Sequence, residues 1–89
     1  MRKIKNDDDM FENVEEFVDN LKRGGEIEFK FEKGSYSITH VEGKLCFIEV
    51  GDESSIRYFE NVKELLEFKI NERKIEDIVE EIQPTFRCF

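Results

Sequence analysis

Histidine occurs once in this chain, at His40, and cysteine twice, at Cys46 and Cys88. These residue types most often carry nucleophilic or metal chemistry, so their spacing limits what the protein can do. A Ser-His-Asp arrangement needs a hydroxyl within hydrogen-bond reach of the imidazole, and the serines closest in sequence are Ser35 and Ser37. Side chains alternate between faces along a strand, so Ser35 and Ser37 fall opposite His40. Cys46 is expected on the face of Thr39, which separates it from His40 and removes a Cys-His pair. Zinc needs three or four clustered ligands, and one histidine with two distant cysteines, outside any CxxC spacing, does not supply them. Asp7-Asp8-Asp9 and Asp52-Glu53 lack the alternating oxygens and closing glutamate of a calcium loop. Gly24-Gly25 precedes a strand rather than a helix and is therefore no phosphate loop. A glycosidase-type carboxylate pair can be drawn among 22 acids, but no spacing selects one. The expectation is a protein that is not an enzyme and uses no metal or cofactor.

What remains is charge. The chain has 22 acidic and 14 basic residues among 89, a net charge of −8. Such a surface repels nucleic-acid phosphate and anionic lipid, which are bound through Lys and Arg, and attracts a basic partner. The densest row lies late in the chain: Glu76, Asp77, Glu80 and Glu81, with Glu72 one turn earlier. Arg73 is placed to pair with Asp77 at i+4, and the others have no local base. Asp52 and Glu53 add to the acidic surface. Unpaired carboxylates at helical spacing can imitate the phosphates of a nucleic-acid strand; the plainer alternative is a solvated helix face. A helix-turn-helix reading of the last two helices fails, because a recognition helix presents basic and amide groups, and IEDIVEEI has four acids and no base.

The elements that must position these residues follow from hydrophobic period. Val14, Phe17, Val18 and Leu21 have the i, i+3, i+4, i+7 spacing of a helix, stopped by Gly24-Gly25. Ile27, Phe29 and Phe31 then alternate with Glu26, Glu28, Lys30 and Glu32, a strand with one buried face. Two-residue turns at Lys33-Gly34 and Glu42-Gly43 predict Phe31 opposite Tyr36, Phe29 opposite Ile38 and Ile27 opposite His40, then His40 opposite Leu45 and Ile38 opposite Phe47. His40 thereby sits beside Ile27 and Leu45, a part-buried structural or rim histidine. The other face mixes Ser35, Ser37 and Thr39 with Cys46, Ile48 and Val50, so the third strand is apolar on both sides. Either IRYF (Ile56 to Phe59) or the aromatic tail covers it, or it is an interface. After a turn over Gly51 to Ser55, IRYF forms a short fourth strand. Val62, Leu65 and Leu66, extending toward Lys69 and Ile70, mark a second helix, NERK a turn, and Ile75, Ile78, Val79 and Ile82 a third helix ended by Pro84. The order is α-β-β-β-(β)-α-α: an α+β two-layer domain with an antiparallel meander against helices.

The tetrapeptide FENV occurs twice, at Phe11 to Val14 and Phe59 to Val62, each time before a helix stripe. Asn as N-cap with Glu three positions on is a capping-box pattern, and the preceding Phe folds onto the first turn. FENV is thus expected to be structural punctuation.

A single domain is expected over 10–83, with a disordered leader at 1–9 and a tail at 84–89. No apolar stretch approaches a membrane span or a signal-peptide core, and the cysteines read as reduced thiols, so the expected location is the bacterial cytoplasm.

The run GGEIEFKFEKGSYSITHVEGKLCFIEV, between FENVEEF and IEDIVEEI, resembles a group of short uncharacterised proteins of Firmicutes genomes and their phages. The likeness covers Met10 to Ile82 and recurs at Glu26-Ile27-Glu28-Phe29 and Tyr36-Ser37-Ile38, which are core and hairpin positions; it implies a shared fold and transfers no activity. In size, charge and element order the chain is also similar to small acidic anti-CRISPR proteins of phages, some of which fill the DNA-binding groove of an RNA-guided nuclease with carboxylates. That similarity implies an inhibitor of a host defence nuclease or another nucleic-acid-handling protein. Glu72, Glu76, Asp77, Glu80, Glu81, Asp52 and Glu53 would face a basic protein surface, with no direct nucleic-acid or membrane binding. The alternatives are a protein that self-associates as a homodimer through the third strand and the FRCF tail, and an immunity protein against a basic toxin.

Overall fold

The computed structural model describes residues 10–88; the expected leader at 1–9 lies outside them. Ten elements follow in order: α1 (Val14–Lys22), β1 (Glu26–Phe31), β2 (Gly34–Val41), β3 (Lys44–Glu49), β4 (Asp52–Phe59), α2 (Val62–Glu67), β5 (Lys69–Ile70), β6 (Arg73–Lys74), α3 (Ile75–Ile78) and β7 (Gln83–Cys88). Five strands make one sheet in the order β4-β3-β2-β1-β7, every pair antiparallel, and β5 and β6 form a small separate hairpin. The architecture is the expected α+β class.

One face of the sheet holds the core. Ile27, Phe29, Phe31, Tyr36, Ile38, Leu45 and Phe47 are all buried and join Phe17, Leu21, Val62, Leu65, Ile75 and Ile78 of the helices in one cluster. An aromatic row crosses it, Phe29 to Tyr36 to Phe47 to Phe68 to Phe59, with successive ring centroids 5.1 to 5.6 Å apart. Burying such rings is the main source of stability in a domain of this size.

Both FENV copies cap helices, with nearly identical geometry. Asn13 Oδ1 accepts from the Glu16 amide at 2.9 Å, and Asn61 Oδ1 from the Glu64 amide at 2.9 Å. The glutamates reach back to the amides of Glu12 and Glu60 at 2.8 and 3.0 Å, one residue before the cap rather than at it. Phe11 packs edge-on against Phe17 and Phe59 against Phe68, with centroids 5.2 and 5.4 Å apart, so each Phe fixes the entry to its helix.

The β2–β3 register is as expected, Ile38 opposite Phe47 and His40 opposite Leu45, closed by Glu42 and Gly43 at φ 53 and 84°. The β1–β2 register is shifted by two residues: Ile27 faces Ile38, Phe29 faces Tyr36 and Phe31 faces Gly34. The turn is Glu32-Lys33, not Lys33-Gly34. A two-residue shift leaves every side chain on its expected face, so the core survives the error while His40 moves beyond the end of β1. Gly34 belongs to β2 for a different reason: a Cβ there would lie 2.4 Å from Tyr36 Oη and 2.7 Å from Cζ. Tyr36 packs its ring over the bare glycine.

Four further expectations are corrected. The β3–β4 turn is Val50-Gly51, with Gly51 at φ 93°, and β4 begins at Asp52 rather than after Ser55. Helix α2 stops at Glu67, and Lys69-Ile70 pairs with Arg73-Lys74 around Asn71 and Glu72, both at positive φ. The third helix is a single turn, Ile75–Ile78, after which the chain turns through 79–81. Ile75, Ile78, Val79 and Ile82 are nonetheless all buried; the helical spacing was met by a turn rather than by a continuing helix. Finally, the stretch expected to be a tail forms β7 on β1. The missing N–H of Pro84 is tolerated because β7 is an edge strand.

Candidate interaction surfaces

Two surfaces emerge from this frame. The first is the acidic segment. Glu72 is exposed at the tip of the β5–β6 hairpin, and Asp77 and Glu80 are exposed beyond it. Glu81 is engaged: its two oxygens accept from the Arg73 guanidinium at 2.8 and 2.7 Å. That hydrogen bonding holds the Glu81 carboxyl below the usual range and raises Arg73. The expected Arg73–Asp77 pair gives way to this one because the helix ends at Ile78 and the following turn brings Glu81 back toward β6. Glu76 is half-buried, with Oε2 3.8 Å from Lys74 Nζ. The row therefore does not form a helical phosphate-like ladder. Arg73 also stands 5.9 Å over the Phe31 ring, and Asn71 donates to Glu32 at 2.8 Å, so the hairpin is latched to the end of the sheet.

Asp52 and Glu53 lie at that same end of the sheet but on its edge strand. β4 is three strands from β1, or about 14 Å. The Asp52 carboxylate is turned inward on its own loop, accepting from the Ser54 amide and hydroxyl at 3.1 and 2.6 Å. The structure thus places all seven residues on the surface without converging them on one point.

The second surface is the opposite face of the five-stranded sheet. All the strand residues of the core lie on the helix side, and the alternate residues of the central strands lie on the other. Cys46, Ile48 and Ile56 are half-buried there, while Tyr58 and Val50 are each 57% exposed. IRYF does not cover β3; it pairs beside it and lengthens the open face. β7 does the same at the far edge, with Phe86 48% exposed. β3 and β7 are therefore not neighbours in the sheet, being separated by β2 and β1. Reasoning from the sequence reached Cys46, Ile48 and Val50 but missed Ile56, Tyr58 and Phe86. The available signal was that IRYF alternates Ile56 and Tyr58 on one face with Arg57 and Phe59 on the other, and so has an apolar residue on each face.

The chemistry-bearing residues are spread between the two faces. His40 lies in the Leu45 row but is exposed, its Nε2 donating to the Gly25 carbonyl at 3.0 Å. Ser37 and Cys46 lie on the open face. Burial pushes the Tyr36 phenol up, and Glu49 and Glu32 add to the shift. Among the described residues no group of three or more His, Cys, Asp or Glu is placed to hold a metal, and no helix is long and apolar enough to cross a membrane. A shallow hollow of about 360 Å³ sits at one corner of the open face between Val41, Glu42, Lys44 and Tyr58. No protein-family model, curated protein or solved structure matches this chain.

Proposed function

We propose that this chain is a non-enzymatic acidic binding protein that acts by occupying a basic surface of another protein. One observation carries the reading: every described carboxylate is at least part-exposed, in a chain of net charge −8. A field of that sign draws in a basic partner and speeds encounter while repelling phosphate. The partner class is a protein whose own ligand is anionic, with a nucleic-acid-binding groove as the chief case. The setting is a phage or mobile-element inhibitor of a host defence nuclease, acting in the bacterial cytoplasm. An immunity protein against a basic toxin would use the same attraction with a different partner.

The test is capture from host lysate on the immobilised chain, eluted with rising salt. Between about 0.1 M and about 1 M salt the Debye length falls from about 10 Å to about 3 Å, so a captured basic protein should be released across that range. Reversal of Glu72, Asp77 and Glu80 to Lys should slow its association. Retention at the highest salt, or a captured set with no basic bias, contradicts the proposal.

A further inference from the structure

Of the rings in the aromatic row, Phe29, Tyr36, Phe47, Phe68 and Phe59, only one carries a hydroxyl. Tyr36 is 6% exposed, and among the described residues its Oη has no hydrogen-bond partner. Phenylalanine would fill the same place without taking a polar group out of water, and an unmet polar group is a cost to folding. The ring needs Gly34 bare beneath it in either case, but the hydroxyl is the part that the fold leaves unused. It stands over Gly34, 2.4 Å from where a Cβ would lie, and Gly34 is itself half-buried at the end of the sheet. Glu49 is paired with Tyr36 across β2 and β3 and, two residues from Phe47, falls on the same side of the sheet. Glu32 is bonded on that side by Asn71, of the hairpin whose Arg73 stands over the Phe31 ring. Burial, with Glu49 and then Glu32 adding to it, holds the phenol above its ordinary range, so it keeps its proton at neutral pH.

The bases around this end of the sheet leave the two carboxylates unneutralised. Arg73 gives both its terminal nitrogens to Glu81, and Arg57, on the same side of β4, donates to the Ile56 carbonyl. Lys33 is exposed in the turn and makes no ion pair among the described residues. Lys30 alternates to the other side of β1, and Lys69 and Lys74 stand at the far end of the hairpin from Glu72. We infer that Tyr36 Oη, Glu49 and Glu32 together receive a lysine side chain of the partner protein. The inference rests on the basic-partner reading and names the contact that would carry it.

An ammonium has three N–H donors and no acceptor. Two carboxylates and a protonated phenol oxygen offer it three acceptors, one of them set in the edge of the core, where such a bond is stronger than in water. A guanidinium is a planar fork that suits the paired oxygens of one carboxylate; here the oxygens belong to three separate side chains. Hard divalent cations take six or more oxygens, and the described residues hold no group of three His, Cys, Asp or Glu for one. Two copies at −8 each repel, which sets another protein ahead of a second copy as the source of the lysine.

The experiment titrates the full ¹⁵N-labelled chain at low salt with a tetralysine peptide, beside tetra-arginine and a tetralysine acetylated on every side chain. Amide shifts are expected over 32–36 and 47–50, with 76–80 unmoved. Tyr36→Phe deletes only the hydroxyl; it should bind tetralysine about fivefold more weakly and melt no lower than wild type. Glu49→Gln should weaken binding about tenfold, and Asp77→Asn should leave it within about twofold. A Tyr36→Phe variant that melts lower would return the hydroxyl to the fold, and one that binds unchanged would remove it from the site; either overturns the inference. Shifts confined to 76–80 would overturn the site while leaving the basic-partner reading intact. Equal binding of the acetylated peptide, or tighter binding of tetra-arginine, would overturn the ammonium. A dimer in sedimentation that Lys33→Gln dissociates would overturn the partner protein as the source and make it a second copy. Absence of shifts at millimolar tetralysine would overturn the inference, and the lysate capture tests the basic-partner reading apart from it.

Discussion

The two faces of the sheet carry similar side chains on β3 and β4 and meet opposite fates. Phe47 and Ile48 are neighbours on one strand; the first is 3% exposed beneath Phe68, and the second is half-buried on the face away from the described helices. Hydrophobicity alone does not decide what is core. The three described helices cover one face, and β3 and β4 carry apolar residues on both. The difference teaches where stability resides: the helix side holds the molecule together, and the other side retains apolar area that folding did not consume.

The largest effect should come from breaking the covered side. Phe29→Ala removes a buried ring from the aromatic row and should cost about 3–5 kcal/mol in urea unfolding. Tyr58→Ala, on the open face, should cost less than about 1 kcal/mol. Comparable losses would mean that the two faces are equally packed.

Gly34→Ala sharpens the contrast, because its Cβ would strike a Tyr36 ring held between Phe29 and Phe47. That ring cannot move away cheaply, and a loss of about 1–3 kcal/mol is expected. A neutral result would show that the row is loose. Asn13→Ala and Asn61→Ala, which uncap the helices that cover the inner face, should cost about 1 kcal/mol each by the same measurement.

The smallest effect concerns the Arg73–Glu81 latch. The Glu81 carboxyl is held below its ordinary value by the Arg73 hydrogen bonds, so the folded state binds that proton less readily than the unfolded one. Its contribution is present above the ordinary glutamate range and is lost as pH falls through the lowered value. The melting-temperature gap between wild type and Glu81→Gln should therefore close between about pH 7 and about pH 3. Both partners are exposed, so the gap should be small. A gap that widens in acid would contradict the pairing.

Much of the inner face was legible in the sequence. Period-two alternation fixed which residues of β1 to β3 are core, and the Asn-Val-x-Glu pattern fixed both helix starts. The misplaced turn came from assigning a turn role to Gly34, whose missing Cβ serves the Tyr36 ring instead. The third helix misled because Ile75, Ile78, Val79 and Ile82 are buried by one helical turn and a loop that keep the same side inward. Pro84 looked like an end, although an edge strand leaves its nitrogen without a required partner. The candidate surface was half legible: Ile48 and Val50 signalled it, while its extent depended on β4 and β7 lying beside β3 and β1, a long-range pairing that no local pattern encodes.

The most direct measurement sets urea unfolding of Ile48→Glu beside that of Phe29→Ala. The expected result is an Ile48→Glu protein within about 1 kcal/mol of wild type, where Phe29→Ala loses about 3–5 kcal/mol. An Ile48→Glu variant destabilised as severely as Phe29→Ala would contradict the division between a covered face that holds the fold and an open face that does not.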